Sequence, residues 1–259
     1  MQPLDTLLLA LADDEFILGY RNSEWTGIAP MLEEDVAFSS MAQDEIGHAR
    51  LFYQMLAERM GNSADKIAYS RQAHEFLSCQ LMERPKGDWA YSVARQFLYD
   101  TADHVRLEAL SRSSYTPLAN ATQKIIREEK YHLMHGDMWL NRLATLSPIS
   151  REHLEAALDA LWPDALGIFE ELPGEATLVA DGTLPATMST LQADWLEQVA
   201  PYFYNLDLPF PAEKGEQTGL YTPTVQPVYG GRQGQHTEDF TALWDEMTSV
   251  YRLEPEAIW

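Results

Sequence analysis

The sequence predicts an all-α fold, with four long helices forming a bundle that is followed by further helices and an irregular C-terminal arm. Apolar residues recur at a period of about 3.6 through several long segments, as they do on the buried face of a helix. Two of these segments each carry a Glu-x-x-His pair, Glu45 with His48 and Glu129 with His132. Stretches rich in Pro, Gly and Asn separate the segments and indicate loops.

The first helix is predicted over residues 3 to about 22. Four leucines share one face of it: Leu4, Leu8, Leu11 and Leu18. Glu15 lies at the centre of that face, where a carboxylate is costly unless it is paired or binds a metal. At about 100° per residue, Asp13 points to the opposite side and Asp14 to the flank, so both are expected to be solvated.

The second helix is predicted from about residue 30 to 60, because Pro30 suits a first turn and Gly61 favours a helix end. An apolar stripe runs along it: Phe38, Met41, Ala42, Ala49, Phe52 and Leu56. Glu45 lies on this stripe, and His48 is about 60° away on the same face. The pair is therefore expected to point into the bundle.

Residues 62 to 87 are expected to form a loop with a short helix around 70 to 82. Asp88 is a suitable N-cap for a third helix that reaches about residue 113. Its apolar stripe consists of Trp89, Val93, Phe97 and Leu107. Asp100 lies at the centre of this stripe and is the expected ligand of the third helix, with Asp103, displaced by about 60°, as the second choice.

Thr116 is predicted as the N-cap of a fourth helix that has Pro117 in its first turn and extends to about residue 145. Four apolar residues accompany the second Glu-x-x-His pair on its inward side: Ile125, Ile126, Leu133 and Leu140. Glu129 and His132 are thus expected to face inward.

The C-terminal third is predicted to be helical and to contribute no metal ligand. Ser150 can cap a helix over residues 151 to 170, and another is expected over 184 to 206. Residues 207 to 235 are rich in Pro and Gly and should be irregular, and a last helix is expected over 237 to 251. We therefore predict one domain over 1–259, with its core bundle in 3–60 and 88–145 and its C-terminal helices and arm in 148–259.

Six residues, at least one from each long helix, form the predicted metal site: Glu15, Glu45, His48, Asp100, Glu129 and His132. Two Glu-x-x-His pairs with one further carboxylate from each of two other helices are the ligand set of ferritin-like di-iron and di-manganese bundles. The fold class is therefore a ferritin-like four-helix bundle with C-terminal additions. Four negative charges offset two ferrous ions, which can together deliver two electrons to dioxygen. The alternative is a relic of such a site, in which the buried polar residues pair with one another.

Three other polar residues near the predicted ligands each fit two roles. Asp44 and Glu128 each precede a ligand glutamate and are candidates for orienting the ligand histidines, although solvated positions fit them equally well. His104 is either a group behind the ligands or a core histidine. The remaining histidines have no partner at ligand spacing and are expected on the surface or in packing: His74, His135, His153 and His236.

Composition limits the function classes. The chain has 18 basic and 40 acidic residues, a formal charge of 18 − 40 = −22. Such a charge argues against nucleic acid or anionic membranes as partners. The single cysteine, Cys79, fits a reducing cytoplasm, and no apolar run is long enough to cross a bilayer. A soluble, cytoplasmic protein is expected.

The sequence resembles the phenylacetyl-coenzyme A epoxidase family, whose members are ferritin-like components of a multicomponent monooxygenase of aerobic phenylacetate catabolism. Four motifs carry the resemblance: Ser23-Glu-Trp-Thr-Gly-Ile-Ala-Pro30, Gln43-Asp-Glu-Ile-Gly-His48, Ser114-Tyr-Thr-Pro117 and Arg127-Glu-Glu-Lys-Tyr-His-Leu133. The stretch Gly231-Arg-Gln-Gly-Gln-His-Thr-Glu238 and the final Trp259 are most similar to the C-type members, which are usually called structural. The C-type members often lack several metal ligands, whereas this chain keeps the six that match the catalytic A-type members.

The resemblance implies a C-type subunit that holds or positions an A-type catalytic subunit in a hetero-oligomer. That complex would take phenylacetyl-CoA as substrate and a reductase as its electron source. Its cofactor would be a di-iron centre, with manganese as the other metal that suits these ligands. Two alternatives remain open: a catalytic di-iron oxygenase in its own right, and a ferritin-like metal-binding protein. No residue is assigned a catalytic role beyond metal binding.

Overall fold

The computed structural model describes residues 1–255, so Trp259 lies outside the described residues. Within them the chain forms ten α-helices and one two-stranded hairpin. The predicted all-α, ferritin-like class is confirmed. The helices are α1 Pro3–Ser23, α2 Leu32–Met60, α3 Ala64–Tyr69, α4 Gln80–Glu83, α5 Trp89–Leu110, α6 Thr116–Leu146, α7 Pro148–Leu166, α8 Glu175–Ala180, α9 Met188–Asn205 and α10 Glu238–Leu253.

The chain divides into two compact units. The first unit combines Met1–Pro85 with the C-terminal segment from Gly230, and the second unit is the continuous stretch Lys86–Tyr229. Each unit contains one pair of the long helices, α1 with α2 and α5 with α6. The single domain over 1–259 stays a prediction.

In the first unit, α1 and α2 pack as an antiparallel hairpin. Gly19 allows the close approach, because a Cβ atom there would lie 2.7 Å from Ile46 Cγ1 and 3.0 Å from the Ala42 carbonyl oxygen. At the far end of the pair, Arg59 Nε donates to Asp5 Oδ1 at 2.5 Å. Gly61 ends α2 in the left-handed region, with φ of 64°, as its sequence position predicts.

The first unit is completed by α3, α4, a 3-10 turn at Ala73–Glu75 and α10. Aromatic pairs attach α10: Tyr251 stacks on Tyr69 at 5.7 Å, and Phe240 meets Phe76 edge-on at 5.4 Å. The C-terminal helix is therefore part of the same unit as the N-terminal hairpin, although most of the chain separates the two.

The second unit packs α5, α6, α7 and α9. Asp88 caps α5, as predicted, by accepting a hydrogen bond from Tyr91 N at 2.8 Å. The indoles of Trp162 on α7 and Trp195 on α9 stack at 5.1 Å, and Trp195 Nε1 donates to Thr101 Oγ1 on α5 at 3.0 Å. These buried rings hold α9 against α5.

Several predicted boundaries are wrong. The N-cap of α6 is Tyr115, so Thr116 is already helical. Ser147 caps α7, and Ser150 instead closes the capping box from inside that helix, since a serine can serve at either end of the box. The α5 helix ends at Leu110 rather than about 113, and the short helix expected around 70–82 is broken into separate turns.

The predicted irregular segment 207–235 contains a small antiparallel hairpin. Its strands are β1 Ala212–Lys214 and β2 Tyr221–Pro223, and Glu213 is paired with Thr222. Over the described part of the chain, no helix combines the length and the apolar character that a membrane crossing requires.

Candidate metal centre

The first unit brings together three of the predicted ligands. His48 Nδ1 lies 3.5 Å from Glu15 Oε2 and 3.7 Å from Glu45 Oε2. One ligand atom from each residue falls within 4.8 Å of the other two, and each residue is at most 2% exposed. This arrangement follows from the helical spacing of Glu45 and His48 on α2 and from the close contact of α1 at Gly19.

His48 is held as a cation in this group. Burial by itself favours the neutral ring, but the close approach and the negative charges of Glu15 and Glu45 outweigh it and raise the pKa of His48 to about 11. A proton on His48 therefore compensates negative charge at the position where a metal ion would also do so.

The second unit holds the other three predicted ligands. His132 Nδ1 lies 3.0 Å from Glu129 Oε1 on the same turn of α6. One ligand atom of Asp100, on α5, lies within 4.8 Å of one of His132. All three residues are at most 1% exposed.

Gln96 is a site residue that sequence reasoning missed. Its Nε2 donates to Asp100 Oδ1 at 2.6 Å, and the residue is 1% exposed. The signal was its position four residues before Asp100, which places both side chains on one face of α5. The bond leaves Asp100 with a fixed orientation.

The donor types fit the metals that the sequence predicts. Carboxylate oxygens and imidazole nitrogens suit iron and manganese, and carboxylates can bridge two cations. Buried carboxylates also require a compensating positive charge. The group of Glu15, Glu45 and His48 can thus hold a divalent ion.

Asp13 and Asp14 are not solvated, and this prediction is wrong. Both are 0% exposed. Arg71 Nη2 donates to Asp13 Oδ1 at 2.5 Å, and Arg232 Nη2 donates to Asp14 Oδ2 at 2.7 Å. The prediction failed because it treated α1 as a helix with one buried face, whereas arginines from distant segments bury its other sides.

The other polar residues that the sequence singled out lie outside the two groups of predicted ligands. Asp103, the second choice on α5, is buried in an ion pair with Arg106 at 2.5 Å. His104 Nε2 lies 3.5 Å from Glu108 Oε1 near the surface. Glu128 lies 3.7 Å from Lys124, and both side chains are exposed, while Asp44 is half-buried. A role for Asp44, His104 or Glu128 in orienting the histidines stays a prediction.

Two other histidines lie beside carboxylates. His153 Nδ1 is 2.6 Å from Asp88 Oδ2 at the surface. His236 is more enclosed, with Nδ1 2.5 Å from Glu83 Oε1 and Nε2 3.1 Å from the carbonyl oxygen of Phe76. His236 therefore fastens the segment before α10 to α4.

The sequence matches the family described as Phenylacetic acid catabolic protein (PaaA_PaaC) over residues 1–259. It is 31% identical to the C subunit of 1,2-phenylacetyl-CoA epoxidase from Escherichia coli (strain K12), over an alignment that covers 100% of both chains. It is also 29% identical to the A subunit of the same organism's epoxidase, over 61% of this chain and 51% of its relative. The second match therefore spans about half of that longer relative.

Proposed function

This chain belongs to the phenylacetic acid catabolic protein family, and we propose that it acts as a C-type subunit of a multicomponent phenylacetyl-CoA epoxidase. The observation that carries this proposal is the similarity to a C-type relative, because the alignment covers the full length of both chains. The reaction of such a complex is the oxygenation of an aromatic thioester to a ring epoxide in phenylacetate catabolism.

We also propose that the chain binds a di-iron centre, with manganese as an alternative metal. The proposed ligands are Glu15, Glu45, His48, Asp100, Glu129 and His132. The buried group in the first unit supports this proposal, because two carboxylates and one imidazole of the expected types converge there. Two ferrous ions, when bound, would supply two of the four electrons that reduce dioxygen, and oxidation of the ring to its epoxide would account for the other two.

The chain's own residues would prepare the site in two ways. The raised pKa of His48, about 11, would keep a proton on that ring until a metal replaces it, so one of the two carboxylate charges of the group would be compensated. Gln96 donates to one oxygen of Asp100 and thereby directs the other oxygen.

Charge supports the presence of a partner chain. Coenzyme A thioesters are polyanionic, and a chain with a formal charge of −22 is a poor sole binder for them. We propose that an A-type partner binds the thioester within a hetero-oligomer and that a reductase delivers the electrons. A reducing cytoplasm is the proposed compartment, since the sequence has a single cysteine, Cys79, and that residue is buried.

The test is epoxidation of phenylacetyl-CoA by this protein alone and then with an A-type partner, with reductase and electron donor present in both cases. Activity only in the mixture, retained when this chain carries Glu45→Ala, is the expected result for a C-type role. Turnover by the single chain, lost in Glu45→Ala, would instead identify it as a catalytic oxygenase, which its buried carboxylate and histidine groups make the second candidate. No activity in either case would contradict both.

A further inference from the structure

Three consecutive carboxylates on α1, Asp13, Asp14 and Glu15, are all buried. Successive helix positions are turned by about 100°, so the three side chains leave the helix in three directions. Each meets a different cationic side chain: Asp13 meets Arg71, Asp14 meets Arg232, and Glu15 meets His48. Three directions around this turn of α1, which together span about 200° of its circumference, are therefore held by charged contacts.

Of these three contacts, the one made by Arg232 joins the residues that are furthest apart in the sequence. Its Nη1 and Nη2 donate to the two oxygens of Asp14, each at 2.7 Å. The same Nη1 donates to the carbonyl oxygen of Leu77 at 2.8 Å. Asp14 Oδ1 accepts a further bond from Cys79 N at 2.8 Å. One guanidinium thus joins α1 to the extended segment around residue 78.

The backbone around Arg232 is built for this close approach. A Cβ atom at Gly231 would lie 2.3 Å from the Ser78 carbonyl oxygen, and one at Gly234 would lie 2.1 Å from the His74 carbonyl oxygen. Gly234 also has φ of 74°, a conformation that favours glycine. The two glycines let the backbone of residues 231–234 lie directly on residues 74–79, so that the Arg232 side chain reaches Asp14.

The geometry limits how α1 can turn about its own axis. A side-chain oxygen lies roughly 6 Å from a helix axis, so a rotation of about 20° would move it by about 2 Å. Such a rotation would break the paired bonds from Arg232 to Asp14 and leave a buried carboxylate without its countercharge. It would also carry Glu15, the next residue, away from His48.

We propose that Arg232 is a positioning residue, which acts through Asp14 to hold Glu15 in register with Glu45 and His48. The consequence for metal binding rests on the function proposed above, whereas the effect on Glu15 and His48 exists without a metal. The motif Gly231-Arg-Gln-Gly-Gln-His-Thr-Glu238 then contributes to the ligand group through contact with α1.

The test compares Arg232→Gln with Arg232→Lys and with a matched control, His236→Gln. His236 lies in the same C-terminal segment as Arg232 but contacts Glu83 and Phe76 rather than α1. The double variant Asp14→Asn/Arg232→Gln is the second probe if Arg232→Gln alone does not fold. It removes the paired bonds between the guanidinium and the carboxylate without leaving a buried carboxylate that lacks its countercharge.

The first measurement uses the metal-free full-length protein and records the ring nitrogen resonances of His48 at a single neutral pH. We expect Arg232→Gln and the double variant to shift these resonances, Arg232→Lys to restore them in part, and His236→Gln to leave them unchanged while lowering thermal stability. Resonances like those of the wild type in folded Arg232→Gln, or in the double variant, would overturn the proposal.

The second measurement titrates cobalt(II) and follows its visible absorption, which depends on coordination geometry. We expect a loss of affinity of about tenfold or more and an altered spectrum for Arg232→Gln, as for other residues that orient metal ligands, but not for His236→Gln. Unaltered cobalt binding in Arg232→Gln would count against the positioning role. Absence of cobalt binding by the wild type would contradict the metal site, while the His48 resonances would still decide the role of Arg232.

Discussion

Nδ1 of His48 lies 3.5 Å from Oε2 of Glu15, with both side chains almost fully buried. The contact joins α1 to α2 and combines a cationic imidazole with a carboxylate in a buried region. Without metal it is an ion pair, and with metal both groups would become ligands. A proton and a metal ion would therefore compete for the same ring.

Metal binding is expected to release a proton from His48. The pKa of His48, raised to about 11, keeps the ring protonated at pH 7 to 8, and coordination through Nδ1 requires its loss. Calorimetric titration with ferrous or manganous ion in two buffers of different ionisation enthalpy measures the released protons. Equal apparent enthalpies in the two buffers would contradict the expectation, and His48→Asn should release fewer protons than the wild type.

The same pKa predicts how metal-free stability depends on pH. The folded value, about 11, lies above the ordinary value of 6.5, so the contribution of His48 is fully present below about pH 6.5 and is lost as pH rises towards 11. Denaturant unfolding of wild type and His48→Asn between pH 6 and 10 measures it. The stability difference between the two should shrink with rising pH; a difference that grows would refute this account.

Glu45→Ala is expected to abolish metal binding by the first group while helical content stays nearly unchanged. The fold of α2 depends on its buried apolar residues, among them Phe38, Met41 and Phe52, whereas Glu45 contributes a ligand. Metal analysis after anaerobic reconstitution, together with circular dichroism, checks both parts. Loss of folding in this variant would show that the buried polar residues form a structural network.

Gly19→Val should separate α1 from α2. The new side chain would meet Ile46 and the Ala42 carbonyl, contacts of 2.7 and 3.0 Å already for a Cβ atom. We expect a loss of about 1 to 3 kcal/mol in the free energy of unfolding and weaker metal binding. Gly47→Ala is the matched control, because nothing lies within 4 Å of a Cβ atom there, and it should stabilise the helix by up to about 1 kcal/mol.

Arg71→Ala should destabilise the first unit strongly. Arg71 bonds both oxygens of the fully buried Asp13, at 2.5 and 2.9 Å, and lies 3.9 Å from the ring centre of Phe76. Removing one partner of a buried pair costs about 3 to 5 kcal/mol. Urea unfolding measures this change, with Arg252→Ala as control, since Arg252 pairs with Asp245 at the surface. A loss no larger than that of the control would mean that Asp13 finds another partner.

Local patterns predicted much of this structure. The long helices were expected because their apolar periods are regular, and Asp88 was expected as an N-cap because its chemistry is local. The convergence of Glu15 with Glu45 and His48 followed from each lying at the centre or edge of an apolar stripe. The family inferred from four short motifs is confirmed by the full-length match.

Long-range pairs could not be predicted in this way. Arg71 and Arg232 lie 58 and 218 positions away from the aspartates that they bind, and no periodic pattern connects such partners. Two neighbouring charged residues on a helix are normally both solvated. No local sequence pattern therefore indicated that Asp13 and Asp14 are buried. The N-cap of α7 was predicted at Ser150 but lies at Ser147, because both serines carry the hydroxyl that a capping box uses.

Because Arg232 lies far along the chain, α1 cannot form its buried contact with that arginine until residue 232 has been translated. At about 5 to 20 residues per second, the arginine that neutralises Asp14 is made roughly 10 to 40 seconds after it. The second unit, Lys86–Tyr229, is continuous and is complete before that arginine emerges. The N-terminal helices, although translated first, therefore lack one of their buried contacts until residue 232 has been made, and a protein shortened before Arg232 would leave Asp14 without this guanidinium partner.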